Sequence, residues 1–386
     1  MKTIRIGLAG AGFIARIHLE ALRRVVGVPV EIAGILGRSG APALAEEFGI
    51  GRIYDTYEQM LADPAIDAVD ILTPNIHHAE MCVKAAEAGK HIICEKPLTG
   101  AFEREPASME ELYRRAVERA RGIVEAAERN NVLICYAEDF VYAPAVEKAR
   151  RLLAKGGGAI LEMRSEESHS GSHAAYAKHW ELAGGGSLLR LGAHPVGLVL
   201  HMKEFEGRMR SGRPIGVKSV LADMGNLTKT QAFQNSGRKW VVDDWHDVED
   251  WSTVILTFED GTKAVIHSND ITLGGVVNTL DIYSSNSVIR CKLTNNDAVR
   301  AYAPDSDVFG DEYILEKIQT KAGWTYPSPD EDWARGYPQE MQDFAEAIAN
   351  NREPLSNGRL GCKVVEVIYA AYLSAQSGRR VELDDK

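Results

Sequence analysis

The chain has 386 residues, 45% of them hydrophobic and 26% charged, with a formal net charge of −11. That composition fits a globular protein with a real core, and the length allows two or three domains. The negative charge, with no basic run interleaved with aromatics, argues against a nucleic-acid partner. Five scattered cysteines (Cys82, Cys94, Cys135, Cys291 and Cys362) form no CxxC pair. Neither a zinc knuckle nor a disulfide framework is therefore expected, and the thiols read as reduced. The apolar N-terminus is too short to span a bilayer and runs straight into a glycine motif. It reads as a strand and not a signal peptide, no other segment approaches a membrane span, and a cytoplasmic location is expected.

The first third alternates short apolar runs with helical stretches. TIRIGLAG, PVEIAGILG, DAVDILTP and HIICEKP read as strands, with helices at ARIHLEALRRV, APALAEEFG and HHAEMCVKAAEAG between them. This βαβ order with nearly continuous apolar strands predicts a parallel sheet covered on both faces. The stretch from 101 to 131 opens like an inserted polar loop and continues as a charged, solvated helix. VLICYAEDF is a further strand and APAVEKARRLLAKGGG a helix with a glycine stop. From AILEMRSEES onward strands are longer and alternate, as in STVILTFEDGTKAVIHSN around a Glu-Asp-Gly turn. VNTLDIYSSNSVIRCKL continues this pattern, and two terminal helices follow. The expected fold is α/β: a domain with a parallel sheet over residues 1–142, then an α+β domain over 143–386 with a large, mostly antiparallel open sheet.

Gly10-Ala11-Gly12-Phe13-Ile14-Ala15 is a GxGxxA run placed after a strand and opening a helix, the context of a dinucleotide site. Gly10 permits the tight turn, Gly12 lets backbone approach a pyrophosphate, Ala15 lets helix and strand pack closely, and the helix N-terminus adds partial positive charge. The second strand ends Leu36-Gly37-Arg38-Ser39, without the acid that would hold a ribose 2′-hydroxyl. Arg38 and Ser39 suit a 2′-phosphate, but a glycine there does not demand one and Arg38 could equally stack on adenine, so NAD and NADP both stay open. Glu95-Lys96-Pro97 follows a buried strand at the carboxyl edge, where open α/β sheets bind ligands. A partly desolvated lysine there suits proton transfer.

With GxGxxA at 10–15, LTPNIHHAEM at 72–81, EKP at 95–97, GGGSLLRLGAH at 184–194, FEDGT at 258–262 and AAYLSAQSGRRVEL at 370–383, the chain resembles the glucose-fructose oxidoreductase, inositol dehydrogenase and rhizopine catabolism (Gfo/Idh/MocA) family from end to end. The resemblance implies a Rossmann domain, an α/β domain whose open sheet often mediates dimers or tetramers, a bound nicotinamide cofactor, and a carbohydrate or cyclitol substrate. It implies Lys96 as the catalytic lysine and His194 as the histidine at the reacting hydroxyl. It places Thr73, Pro74, Asn75 and His78 in the loop lining the cofactor, with Glu95 beside its ribose and Lys96 and Pro97 adjoining it.

Family members usually carry an aspartate four residues before the histidine, where this chain has Arg190. Arg190 and His194 have same-face spacing for one helix. Either Arg190 projects into the pocket and binds an anionic substrate group, or it pairs with a protein carboxylate such as Glu138 or Asp139. The glycines before it are expected to let backbone come close to the cofactor. Tyr136, Glu138, His173 and Trp180 are candidate substrate contacts, since sugars stack on rings and need many hydrogen bonds. His169, His173, His179 and His246 raise the question of a metal, but their spacing lacks a ligand set and no metal is expected.

Three functions follow. The first is a nicotinamide-dependent oxidoreductase acting on a secondary hydroxyl of a sugar, glycoside or cyclitol, with an acidic substrate suggested by Arg190. The second is an NAD-dependent glycosidase that transiently oxidises an acidic glycoside, such as a sulfoquinovoside or uronide, eliminates, adds water and returns the hydride. The third is a non-catalytic nucleotide-binding regulator.

Overall fold

The computed structural model describes residues 2–103, 108–294 and 297–383. Residues 104–107, inside the polar stretch expected to be an inserted loop, lie outside the described residues.

Strands β1 (Ile4–Ala9), β2 (Val30–Leu36), β3 (Ile53–Tyr54), β4 (Ala68–Ile71), β5 (His91–Glu95) and β6 (Ile134–Ala137) form a sheet in the order β3-β2-β1-β4-β5-β6, with every pairing parallel. β4 and β6 are buried at every position, as a sheet covered on both faces requires. The order reverses between β1 and β4, the switch point where such sheets bind ligands beyond their carboxyl ends. Helices at Ala41–Phe48 and Pro144–Gly156 stop on left-handed Gly49 and Gly157. Ser108 caps the helix Met109–Arg129 by accepting from Glu111 N, and Glu110 and Glu111 complement its N-terminal charge.

The second sheet runs β12-β11-β7-β10-β9-β8-β15, built from β7 (Ile160–Ser168), β8 (Val217–Gly225), β9 (Trp251–Phe258), β10 (Lys263–Asn269), β11 (Val277–Ser284), β12 (Val288–Lys292) and β15 (Val381–Glu382). β7 and β10 pair parallel and all other neighbours antiparallel. Every second residue of β9 is buried, so one face is covered. The helices Ala193–Ser211 and Gly358–Ser377 cover it. β13 (Ala301–Ala303) and β14 (Gly323–Thr325) form a separate pair.

The terminal helices also reach back to the first sheet. Tyr337–Asn350 packs on Phe13–Arg23, and Gly358–Ser377 packs on Met109–Arg129. One main apolar core therefore spans both sheets, with a small satellite of Val242, Trp245 and Val248 against Trp180. The satellite lies in 226–250, between β8 and β9.

Candidate active site

The glycine-rich loop after β1 has the shape a dinucleotide needs. Gly10 has φ +133°, and a Cβ there would sit 2.5 Å from the Leu72 carbonyl oxygen. A Cβ on Gly12 would meet nothing within 4 Å, so the ground before the helix Phe13–Arg23 is open. No side chain caps that helix, which leaves its first N–H groups for an anion. Ala15 is fully buried, Ile14 half-buried, and Phe13 is 72% exposed at the rim. Gly37 and Gly40 pack on Ala11, which sets the β2 loop against this turn and leaves Arg38 and Ser39 exposed beside it. These residues fit a nicotinamide dinucleotide and hold the choice of 2′-group open.

The loops after β4 and β5 are tied together. His78 lies 2.8 Å from Thr73 O and 2.9 Å from Pro97 O, Pro74 is exposed, and Asn75 donates to Ala183 O. Glu95, expected beside the ribose, is instead engaged from within: Oε1 meets His18 Nε2 at 3.2 Å and Oε2 accepts from Lys96 N at 2.8 Å. His18 Nδ1 meets Asp70 at 2.9 Å, so His18 is buried between two carboxylates. Burial pushes His18 down, but Asp70 and Glu95 outweigh it and hold the ring well above the ordinary imidazole range.

Lys96 Nζ donates to the Arg190 carbonyl at 2.7 Å. The backbone at 190 therefore orients the lysine whatever side chain the position carries. The side chain of Arg190 goes elsewhere. It pairs with buried Asp270 and lies 4.7 Å over the Trp245 ring. Of the two readings of Arg190, the protein-carboxylate one describes this conformation, with Asp270 as partner in place of Glu138 or Asp139. The shared-face expectation fails as well. A short helix Ser187–Arg190 ends at Leu191, and the next begins at Ala193 after Gly192. The i,i+4 rule holds within one helix, so the break lets Arg190 and His194 face different partners.

The preceding glycines also differ from expectation, since protein and not open space faces them. A Cβ on Gly185 would come 2.2 Å from Tyr372 Oη, and one on Gly186 2.0 Å from Glu249 O. Glu249 accepts from Gly186 N, Leu188 N and Tyr372 Oη, so it anchors the helix start. Burial raises its carboxyl to about 7.

His194 is 2% exposed, and its Nδ1 lies 2.7 Å from Glu138 Oε1 and 3.1 Å from Asp139 Oδ1. Its Nε2 lies 3.8 Å from Glu167 Oε2, and Phe140 stacks on the ring at 4.5 Å. Burial pushes the imidazole down, but Glu138, Glu167 and Asp139 outweigh it and raise it to about 10. Burial raises Glu138 to about 7 against the pull of His194. Asp139 is lowered: burial opposes ionisation, but His194 and Arg335 outweigh it, the latter 3.5 Å away. Glu167 is raised by burial. Glu138 Oε2, Glu167 Oε2 and Asp270 Oδ1 are buried acceptors without a hydrogen-bond partner. Such atoms are costly unless something donates to them.

Of the expected substrate contacts, Glu138 holds His194. Tyr136 is fully buried with its ring against Gly361, and its hydroxyl is a buried group without a hydrogen-bond partner. Trp180 donates to Ala101 O and packs edge-on against Tyr369 and Tyr372, which places it in an internal aromatic cluster. His173 is exposed. Sequence reasoning did not assign Glu167, Asp270 or Arg335; for Glu167 the available signal was EES at 166–168, immediately before His169. Two groups, Glu138–Asp139–His194 and His179–His246–Asp247, bring three ligand-type atoms within 4.8 Å. In the first, Nδ1 of His194 already lies 2.7 Å from Glu138 Oε1, and in the second Asp247 already accepts from Trp180 N.

Known proteins give the same picture. Residues 4–132 match an oxidoreductase-family model with an NAD-binding Rossmann fold, and 146–290 match the GFO/IDH/MocA C-terminal domain. A levoglucosan dehydrogenase of Pseudarthrobacter phenanthrenivorans is 28% identical over 52% of each chain. A D-xylose 1-dehydrogenase (NADP(+)) of Haloferax volcanii is 25% identical over 92% of each. The crystal structure of GenD2 from gentamicin A biosynthesis, in complex with NAD, superposes with a TM-score of 0.82 at 25% identity, covering 100% of this chain and 97% of that one. No helix among the described residues is long and apolar enough to cross a membrane. With both its domain models matched in order along the chain, this protein belongs to the Gfo/Idh/MocA family of NAD(P)-dependent oxidoreductases.

Proposed function

We propose that this oxidoreductase acts on a secondary hydroxyl of an uncharged sugar, glycoside or cyclitol, with Lys96 and His194 managing the hydroxyl proton. Support comes from the convergence of Lys96, His194, Glu138 and Glu167 at the carboxyl end of the first sheet, where buried carboxylate oxygens lack donors. A hydroxylated ligand supplies a donor to Glu167 Oε2, which lies beside His194 Nε2. The two-domain division at 142/143 is part of this reading, as is the relatives' use of sugar substrates.

A bound nicotinamide would accept or return hydride, and the loop around Gly10 and Gly12 with Thr73 and Asn75 would hold it. The chain's own work is protonic. Lys96 is aimed by the Arg190 carbonyl. His194, kept as imidazolium by its carboxylates, donates from Nε2 and stabilises charge developing on the substrate oxygen. The acidic substrate suggested by Arg190 loses its main support, because Asp270 already neutralises that guanidinium.

Redox-neutral glycoside cleavage has one observation in its favour: Glu167 adds a second buried base beside His194. Incubation of the enzyme with NAD and a panel of neutral sugars and uronides separates the readings. Stoichiometric NADH with neutral substrates preferred is the expected result. Solvent deuterium at the carbon next to the oxidised one, without net NADH, would establish the glycosidase instead.

A further inference from the structure

We propose that Glu138 is the positioning residue of His194, and that it supplies from the loop behind β6 the carboxylate that position 190 does not carry. This deepens the reading of His194 as the group at the reacting hydroxyl and rests on it.

The geometry points to Glu138 from three sides. Its Oε1 lies 2.7 Å from His194 Nδ1, with both residues buried. Phe140, two residues further along the same loop, stacks on the imidazole with an interplanar angle of 18°. Carboxylate and ring together fix the plane of His194 and commit its Nδ1 as a donor. Only Nε2 is then left to meet a ligand. The 3.8 Å between Nε2 and Glu167 Oε2 is too long for a direct hydrogen bond. One hydroxyl oxygen about 2.8 Å from each atom would bridge that gap.

The helix carrying His194 makes room for this arrangement. Gly197 lies three residues on, on the same helical face. A Cβ there would come 3.1 Å from both Cγ and Oε2 of Glu138. Glycine inside a helix costs stability relative to alanine, by about 1 kcal/mol. Here it admits the Glu138 side chain. The loop itself is pinned, because Glu138 N donates to Tyr136 O at 2.8 Å and Val141 N donates to Glu138 O. Position 190 has no part in holding the ring, since its side chain lies against Asp270 and Trp245. The other charged groups around the pair are Asp139 from the same loop, Glu167 from β7, Lys96 just after β5, Arg335 from the helix Glu331–Arg335 and Glu340 from the helix Tyr337–Asn350.

The test uses the full-length enzyme with its cofactor, and the variants Glu138→Gln, Glu138→Asp and Gly197→Ala. Three quantities are read: the split between kcat and KM, cofactor affinity by fluorescence, and the 15N titration of the His194 ring assigned by its loss in His194→Asn. Glu138→Gln is expected to lower kcat about 10²-fold, at the low end for an acid–base group, with KM and cofactor affinity nearly unchanged. The His194 titration should move to lower pH. Glu138→Asp should recover part of kcat. Gly197→Ala, which touches no substrate, should lower kcat in the same direction by a smaller factor. Raised KM with unchanged kcat in Glu138→Gln would make Glu138 a substrate contact and overturn the proposal. So would an unmoved His194 titration. If Glu138→Gln fails to fold, Glu138→Asp and Gly197→Ala carry the same readouts. If the wild type oxidises no sugar or cyclitol, the underlying reading fails, and the ring titration in the free protein still decides the role of Glu138.

Discussion

His18 and His194 are each buried against more than one carboxylate, and they differ in one respect. His18 has a partner on each nitrogen, Asp70 at 2.9 Å and Glu95 at 3.2 Å. His194 has Glu138 on Nδ1, but its Nε2 faces Glu167 across 3.8 Å without a hydrogen bond. Against the opposing effect of burial, neighbouring carboxylates raise both imidazoles above their ordinary range. Both nitrogens of His18 are engaged within the protein, so the ring has no donor left for a ligand, although Asp70 Oδ1 is a buried acceptor without a hydrogen-bond partner. The open set leaves a donor and several acceptors short of partners, a cost that persists until something binds. What separates the two is the saturation of the ring nitrogens and not residue type, since both sets are a histidine among acids. The two are connected: His18 fixes Glu95, whose other oxygen holds the backbone of Lys96.

Replacing each histidine by asparagine tests the contrast and gives the largest effects. His194→Asn should lower kcat by about 10²–10⁴, the worth of an acid–base group, while cofactor binding persists. His18→Asn should act on stability. Removing the cation from a buried set leaves Asp70 and Glu95 uncompensated, at about 3–5 kcal/mol. Denaturant melts and steady-state kinetics on both variants check this. If His18→Asn kept full stability and lost kcat as His194→Asn does, saturation would be no guide to role.

Arg190 gives the next effect, because it sits in the site's sequence motif yet is closed by Asp270 and Trp245. Arg190→Met leaves Asp270 buried and alone, so stability should fall by about 3 kcal/mol. KM should change alike for neutral and acidic substrates. The sign with pH follows from Asp270, which burial raises above the ordinary carboxylate range even beside Arg190. Without the arginine it should rise further, so the variant's deficit should shrink at acid pH, where Asp270 is protonated in both states. A KM rise confined to acidic substrates would return Arg190 to the pocket.

Arg190 also marks where sequence reasoning reached its limit. GxGxxA, the strand–helix alternation, the Glu-Asp-Gly hairpin turn and Lys96 after a buried strand were legible because each depends on neighbours within a few residues. The partners of the site's charges were not. Asp270 is 80 residues from Arg190 and Glu138 is 56 from His194, so no local pattern joins them. The helix break at Gly192 hid them further, because one continuous helix would have put Arg190 and His194 on one face. Tyr136 and Trp180 had the right residue types near the right motifs. Burial against Gly361 in one case, and against Tyr369 and Tyr372 in the other, could be known only once the terminal helix was placed.

The closed-versus-open criterion also sorts the glycines of the cofactor loop, and there it predicts the smallest effect on the fold. Gly10 is closed: φ is +133° and the Leu72 carbonyl oxygen occupies the space of a Cβ. Gly10→Ala should cost about 2 kcal/mol from strain and contact. Gly12 is open: its φ of −92° suits any residue, and nothing lies within 4 Å of a Cβ. Gly12→Ala should leave stability within about 0.5 kcal/mol, as for a surface change. Its methyl would nevertheless fill the ground before the helix N-terminus where a pyrophosphate would be held. Cofactor affinity should therefore fall about tenfold or more while the melt stays put, the reverse of a purely structural glycine. Thermal melts without cofactor, with NADH titrations by fluorescence, read both quantities on one variant. An unchanged NADH affinity in Gly12→Ala would place the pyrophosphate elsewhere and break the link between empty space and function.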